Sequence, residues 1–184
     1  MLEAIILKLV TTLTGYLFQG YLDSIQSINI EGAPSWYGKV HSSKNVYAYG
    51  YAKGGIESIE IARANCRIEM KKKINGLIEI VIYDNFKNIK DPKEKALINE
   101  FKKDPDLEVF IEKNMKFEKV EHLDEQKESF FQKARPEQTF AGGMIPKQAI
   151  IDYQKDRLEK IKYNLTHFRA GNAEDELDKE TGGK

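Results

Sequence analysis

The sequence predicts an α+β fold in which helices pack on one face of an antiparallel sheet. A separate apolar helix precedes this domain, and a long helix closes it. Three patterns predict this class. Residues 46–52 alternate tyrosines with small side chains, as a β-strand does. Residues 56–74 and residues 147–169 both repeat apolar side chains at the spacing of a helix face.

The composition indicates one globular domain with a well-solvated surface. Of the 184 residues, 41% are hydrophobic and 32% are charged, which is enough apolar chain for a real core. Basic and acidic residues number 29 each, so the sequence lacks the basic excess that a nucleic-acid-binding protein needs. The single cysteine, Cys66, excludes an internal disulfide, and its place on an apolar helix face predicts a small buried side chain.

Residues 1–26 are predicted to form the separate apolar helix. The acidic start at Glu3 argues against a secretory signal, and Lys8 argues against a membrane-spanning helix. The remaining interpretation is a helix with one wide apolar face. It would lie on a membrane through residues 2–22, dock on the domain, or pair with a neighbouring subunit. This face comprises Leu2, Ile6, Leu9, Leu13, Leu17 and Tyr21.

A central strand and the helix after it organise the predicted domain, which spans residues 27–169. Tyr47, Tyr49 and Tyr51 fall on one face of the strand, and the other face carries small residues and one valine. Small side chains allow the helix to pack close to the strand backbone. We therefore predict that the helix lies directly on this face.

Turn and capping signals predict the elements that follow. Gly76 is predicted to end the central helix, and residues 77–83 then form a strand inside the sheet. Asp91 and Asp104 each precede a proline, and each is predicted to begin a short helix. The glycine pair at 142–143 indicates a bulge or a close backbone approach. Further antiparallel strands are predicted at residues 117–122, 129–132 and 138–141.

The only tryptophan, Trp36, lies in a proline-containing turn before the central strand. One interpretation is a lid that packs on the end of the sheet, because large aromatic side chains usually bury most of their area. The alternative is that Trp36 and Tyr37 anchor a subunit interface, where such side chains are enriched.

The last helix is predicted over residues 147–169. Ile151, Leu158 and Leu165 repeat every seven residues, and so do Gln154, Ile161 and Phe168. This spacing is typical of a helix packed on its own domain or of a helix that pairs with another subunit. From residue 170 the chain becomes polar and acidic, and we predict a disordered tail over residues 170–184.

Motifs for catalysis or metal binding are missing from the sequence. Its three histidines, His41, His122 and His167, are far apart and follow no zinc-ligand spacing. No glycine-rich phosphate loop or nucleophile motif is present. The sequence therefore predicts a protein that is not an enzyme, with no cofactor, metal ligand or catalytic residue.

Four segments resemble the bacterial outer-membrane lipoproteins of the twenty-kilodalton type, a family that includes flagellar-disk lipoproteins. They are Pro34-Ser35-Trp36, the strand at 47–52, the helix at 61–69 and the segment at 139–147, and the resemblance covers about residues 33–165. Two positions depart from the family. Tyr16 follows Leu13-Thr14-Gly15 where the family has its lipidated cysteine, and Cys66 lies where the family has a small residue.

The resemblance implies a cell-envelope protein without catalytic activity. We expect a scaffold or adaptor, in the periplasm or at the outer membrane, that forms a homo-oligomer or docks an envelope protein. A structure associated with the flagellar motor is one setting, and a cytoplasmic location stays open. The alternative is a binding module that takes a small molecule or host ligand on the tyrosine face. The candidate interface residues are Leu9, Leu13, Leu17, Trp36, Tyr37, Tyr47, Tyr49, Tyr51, Ile151 and Leu158.

Overall fold

The computed structural model describes residues 30–40, 42–128 and 134–180, without the side chains of 175, 176 and 178–180. It confirms the α+β class. The predicted helix at 1–26 and the predicted strand at 129–132 lie outside the described residues. In chain order the elements are β1 (Asn45–Lys53), α1 (Ser58–Phe86), α2 (Pro92–Glu100), α3 (Leu107–Asn114), β2 (Lys116–Leu123), β3 (Gln138–Pro146) and α4 (Lys147–Glu180).

The three strands form one antiparallel sheet in the order β1-β3-β2. The register of β2 shifts between Phe117 and Lys119, opposite the glycine pair at 142–143. A Cβ added to Gly143 would lie 2.4 Å from Met115 Cε. The predicted bulge and close approach are both present at this pair, and the bulge is on β2.

The helix α1 packs directly on the small face of β1, as the sequence predicts. A Cβ added to Gly50 would lie only 1.9 Å from the carbonyl oxygen of Ala62 and 2.4 Å from the backbone nitrogen of Cys66. Ala48, Ala62 and Cys66 have no exposed surface. The absence of side-chain bulk at Gly50 therefore sets how closely strand and helix approach.

The predicted strand at 77–83 is wrong, because α1 continues through Gly76 to Phe86. Leu77, Ile78, Val81 and Ile82 are all buried on the helix. Their spacing continues the buried face of the preceding turns, although a short apolar run fits either period. Burial of these side chains outweighs the cost of a glycine inside a helix, which is about 1 kcal/mol relative to alanine.

The helix α2 begins at its predicted aspartate-proline pair, whereas α3 begins at Leu107, two residues beyond Pro105. The side chain of Asp91 accepts hydrogen bonds from the backbone nitrogens of Lys93 at 2.7 Å and Glu94 at 3.3 Å. These bonds satisfy two of the free donors at the start of α2. Asp104 Oδ1 accepts from the backbone nitrogen of Asp106 at 3.1 Å, just before α3.

The last helix, α4, begins at Lys147 after Pro146 ends β3, as predicted, but it continues to Glu180. The prediction of disorder from residue 170 is therefore wrong as far as residue 180. Alanine, leucine, glutamate and lysine dominate this stretch and are strong helix formers, which an interpretation based on acidity alone overlooks. The 34 residues of α4 give the helix a length of about 50 Å. None of the described helices is apolar enough over a sufficient length to cross a membrane.

Candidate functional site

The tyrosine face of the sheet is covered by the segment that carries Trp36. The indole is 9% exposed and packs in one cluster with Tyr47, Tyr49 and Phe140. Its Nε1 donates a hydrogen bond to Glu121 Oε2 at 2.6 Å. Trp36 therefore lies within its own domain, as the lid interpretation predicts, and it is not an exposed anchor.

The candidate tyrosines are also buried or half-buried within the domain. Tyr47 and Tyr49 are buried at 6% and 8% exposure, and Tyr37 is half-buried between Tyr49 and Phe140. The hydroxyl of Tyr49 donates to the carbonyl oxygen of Lys39. Burial raises the pKa of both Tyr37 and Tyr49 above the usual tyrosine range. Tyr47 and Tyr49 border only a gap of about 10 Å³ beside Trp36, and half-buried Tyr51 borders a larger cavity. The described part of the sheet therefore has no open surface formed by all three tyrosines.

That cavity is an open groove of about 600 Å³ at the end of the sheet. Tyr51 lines it together with Gln126 and the cationic side chains of Lys53 and Arg135. Gln138 is 5% exposed and donates from Nε2 to the Tyr51 hydroxyl at 3.3 Å. Its Oε1 has no hydrogen-bond partner among the described residues.

The helix α4 buries part of the predicted heptad stripe. Gln154, Ile161 and Leu165 of that stripe are buried, whereas Ile151, Leu158 and Phe168 are only half-buried. Leu158 borders a narrow gap against Ile78 and Ile82 of α1, so it faces its own domain. The buried face of α4 comprises Ile150, Gln154, Ile161 and Leu165. The other interface candidates on a helix, Leu9, Leu13 and Leu17, lie outside the described residues.

Three titratable side chains that the sequence analysis did not connect meet at the end of the β2–β3 ladder. His122 Nε2 lies 3.5 Å from Asp124 Oδ1 and 3.5 Å from Glu137 Oε1. These donor atoms all lie within 4.8 Å of one another. His122 lies on β2 and Asp124 directly follows the end of that strand, so their spacing of two residues was a signal in the sequence. Glu137 could be found only from the pairing of β2 with β3.

A buried chain of hydroxyl groups fixes the orientation of the His122 ring. Nδ1 of His122 lies 2.9 Å from Thr139 Oγ1, which lies 2.6 Å from Ser58 Oγ. Ser58 Oγ in turn lies 2.6 Å from the carbonyl oxygen of Gly55 and 3.0 Å from that of Gly54. Ser58 and Thr139 are buried at 3% and 0% exposure, so this series of hydrogen-bonded hydroxyl groups is part of the core.

The potential nucleophiles of this region are not accessible. The Thr139 hydroxyl has no exposed surface. Cys66 is also fully buried, and its thiol donates to the carbonyl oxygen of Ala48 at 3.0 Å. Burial raises the pKa of Cys66 to about 12, so the thiolate is suppressed at neutral pH. The interpretation of Cys66 as a small buried side chain is confirmed.

Comparison with known proteins identifies no relative of this chain. No protein-family model, curated protein or solved structure gave a significant match. Function is therefore argued from the residues and their geometry.

Proposed function

We propose that the chain is a non-enzymatic scaffold or adaptor protein of the bacterial cell envelope, which self-assembles or docks a protein partner through α4. The observation that supports this proposal most is the exposure of the second half of that helix. Every described side chain between Thr166 and Glu174 is half-buried or exposed, whereas the buried face ends at Leu165. A long helix whose end does not pack into its own core can bind another chain.

The outer face of α4 carries a seven-residue repeat of its own. Tyr163 is 64% exposed and Leu177 is 61% exposed, with Ala170 exposed between them. At 100° per residue, Tyr163 lies on the side of the helix opposite Ile161 and Leu165. This outer stripe, defined as Tyr163, Ala170 and Leu177, has the spacing by which helices pair side by side.

The resemblance to the twenty-kilodalton outer-membrane lipoproteins supports the envelope setting and a structure associated with the flagellar motor. Zero net charge fits assembly through shape and apolar contact instead of electrostatic steering. The interface predicted from the sequence is revised, because Trp36 and Leu158 face their own domain. We place the assembly surface on the outer stripe of α4.

Sedimentation velocity of the full chain with Tyr163→Glu tests this surface. The scaffold proposal expects loss of assembly, because a carboxylate within an apolar helix contact is costly to desolvate. Lys162→Gln is the matched control, since it changes the charge by the same amount at a neighbouring exposed position about 100° around the helix. Circular dichroism should show the same helix content in both variants. Equal assembly of Tyr163→Glu and the control would contradict the proposal.

The groove beside Tyr51 supports a second candidate, a module that binds a small anionic ligand. Lys53 and Arg135 supply positive charge there, against the single carboxylate of Glu31 among the lining residues. Under this proposal, small carboxylates should raise the melting temperature saturably, and Lys53→Met should abolish the rise. A chain that stays monomeric and shows this shift would favour the binding module over the scaffold.

A further inference from the structure

We propose that His122, Asp124 and Glu137 form a binding site for one divalent transition-metal ion of the zinc class. The site, called here the ladder-end site, joins the end of β2 to the residues just before β3. It lies away from the outer stripe of α4 in the chain, and it does not depend on the assembly proposal.

Strand register brings the two carboxylates together. In the ladder, His122 pairs with Thr139 and Leu123 with Gln138. The same register continues to an isolated bridge between residues 126 and 135, so Asp124 and Glu137 occupy directly opposed positions. Opposed like charges destabilise a strand pair. Among the described residues, His122 is the only basic side chain that forms an ion pair with either carboxylate.

The distances match those of a metal site. Zinc binds histidine nitrogen and carboxylate oxygen at about 2.0–2.2 Å in tetrahedral geometry, which separates neighbouring ligand atoms by about 3.4 Å. His122 Nε2 lies 3.5 Å from Asp124 Oδ1 and 3.5 Å from Glu137 Oε1. A cation can therefore sit between the three donor atoms with only small side-chain adjustment.

The contact with Thr139 leaves Nε2 as the nitrogen that His122 presents to a metal. Nδ1 lies 2.9 Å from Thr139 Oγ1, and Nε2 faces the two carboxylates. A metal bound at Nε2 leaves the ring proton on Nδ1, where Thr139 Oγ1 can accept it. Metal-binding histidines characteristically donate their second ring N–H in this way.

The donor set selects the ion. Imidazole nitrogen suits zinc, copper, nickel and iron, whereas calcium prefers six to eight oxygen ligands and magnesium prefers octahedral oxygen. Three protein ligands leave one tetrahedral position for water. Asp124 is 94% exposed and Glu137 is 43% exposed, so an ion can enter from solvent.

Equilibrium dialysis of the full chain against zinc chloride alone tests the ladder-end site. We expect saturable binding of one ion per chain in the wild type and in the control His167→Ala, which removes an exposed histidine from α4. Asp124→Asn should weaken binding strongly, and it cannot disturb packing because the side chain is so exposed. His122→Ala should abolish binding. Absence of binding to the wild type, or wild-type binding by Asp124→Asn or by His122→Ala, would overturn the proposal.

Cobalt substitution gives a readout that a purely structural role would not change. Bound Co²⁺ should give the intense visible absorption of tetrahedral coordination, lost in His122→Ala. Thr139→Val removes the acceptor for Nδ1–H, and we expect about 10–100-fold weaker metal affinity. Folded Thr139→Val with wild-type affinity would show that the hydroxyl chain does not orient a ligand.

Discussion

At the residue scale, Gly50 lies so close to the backbone of α1 that there is no space for a Cβ atom. Gly50→Ala should destabilise the protein by at least the 1–3 kcal/mol typical of overpacking, because the nearest atoms are backbone and cannot rotate away. Gly171→Ala is the matched control. No atom lies within 4 Å of that added Cβ, so α4 should gain about 0.5–1 kcal/mol. Urea denaturation of both variants measures these changes, and a neutral Gly50→Ala would contradict the packing described.

Cys66 allows a second test at this scale. Because the thiol is buried and its pKa is raised to about 12, a thiol reagent should not modify the native protein at neutral pH. Reaction should become complete in denaturant. Rapid modification of the folded chain would mean that α1 opens from β1 far more readily than its packing implies.

At the element scale, one buried ion pair joins α4 to the turn between α2 and α3. Asp104 forms an ion pair with Arg157 and accepts a hydrogen bond from the hydroxyl of Tyr153, and Arg157 donates to the carbonyl oxygen of Phe101. The Asp104 and Arg157 side chains are only 6% and 11% exposed. The turn is therefore held by charge as well as by apolar contact.

Removal of one partner tests this pair. Asp104→Ala should destabilise the fold by about 3–5 kcal/mol, because it leaves the charge of Arg157 buried without compensation. The control Asp156→Ala changes an exposed position on α4, next to Arg157. It should change stability by less than about 0.5 kcal/mol. Thermal and urea denaturation give both values. Similar stabilities for the two variants would mean that the Arg157 charge is solvated.

The elements differ in how far the sequence could predict them. The strand β1, the Asp91 cap and the start of α4 rest on local chemistry and were predicted. The continuation of α1 past Gly76 depends on burial against other elements, which local turn signals do not reveal. The ladder-end site depends on the β2–β3 register, so its three ligands were not identifiable from spacing alone.

At the scale of the whole molecule, buried tyrosine hydroxyls and the buried cysteine thiol should limit stability at alkaline pH. Burial raises the pKa of Tyr37 and Tyr49, and it raises the pKa of Tyr153 and Cys66 to about 12. The unfolded chain releases these protons first, near pH 8.5 for cysteine and pH 10 for tyrosine. Stability from these groups is therefore complete below about pH 8.5 and is lost as the pH rises towards 12.

Melting temperature against pH, with tyrosinate absorbance, measures this effect. The melting temperature should fall steadily above about pH 9, and part of the tyrosinate signal should appear only as the chain unfolds. If all tyrosines ionise near pH 10 while circular dichroism stays native, the aromatic cluster under Trp36 is open to solvent.

The solution mass of the full chain, by light scattering in detergent-free buffer, tests the scaffold proposal most directly. The account predicts a defined oligomer, with a mass that is a multiple of 21.2 kDa and decreases on dilution. A constant mass of 21.2 kDa at every concentration, with no partner needed for native structure, would contradict self-assembly through α4.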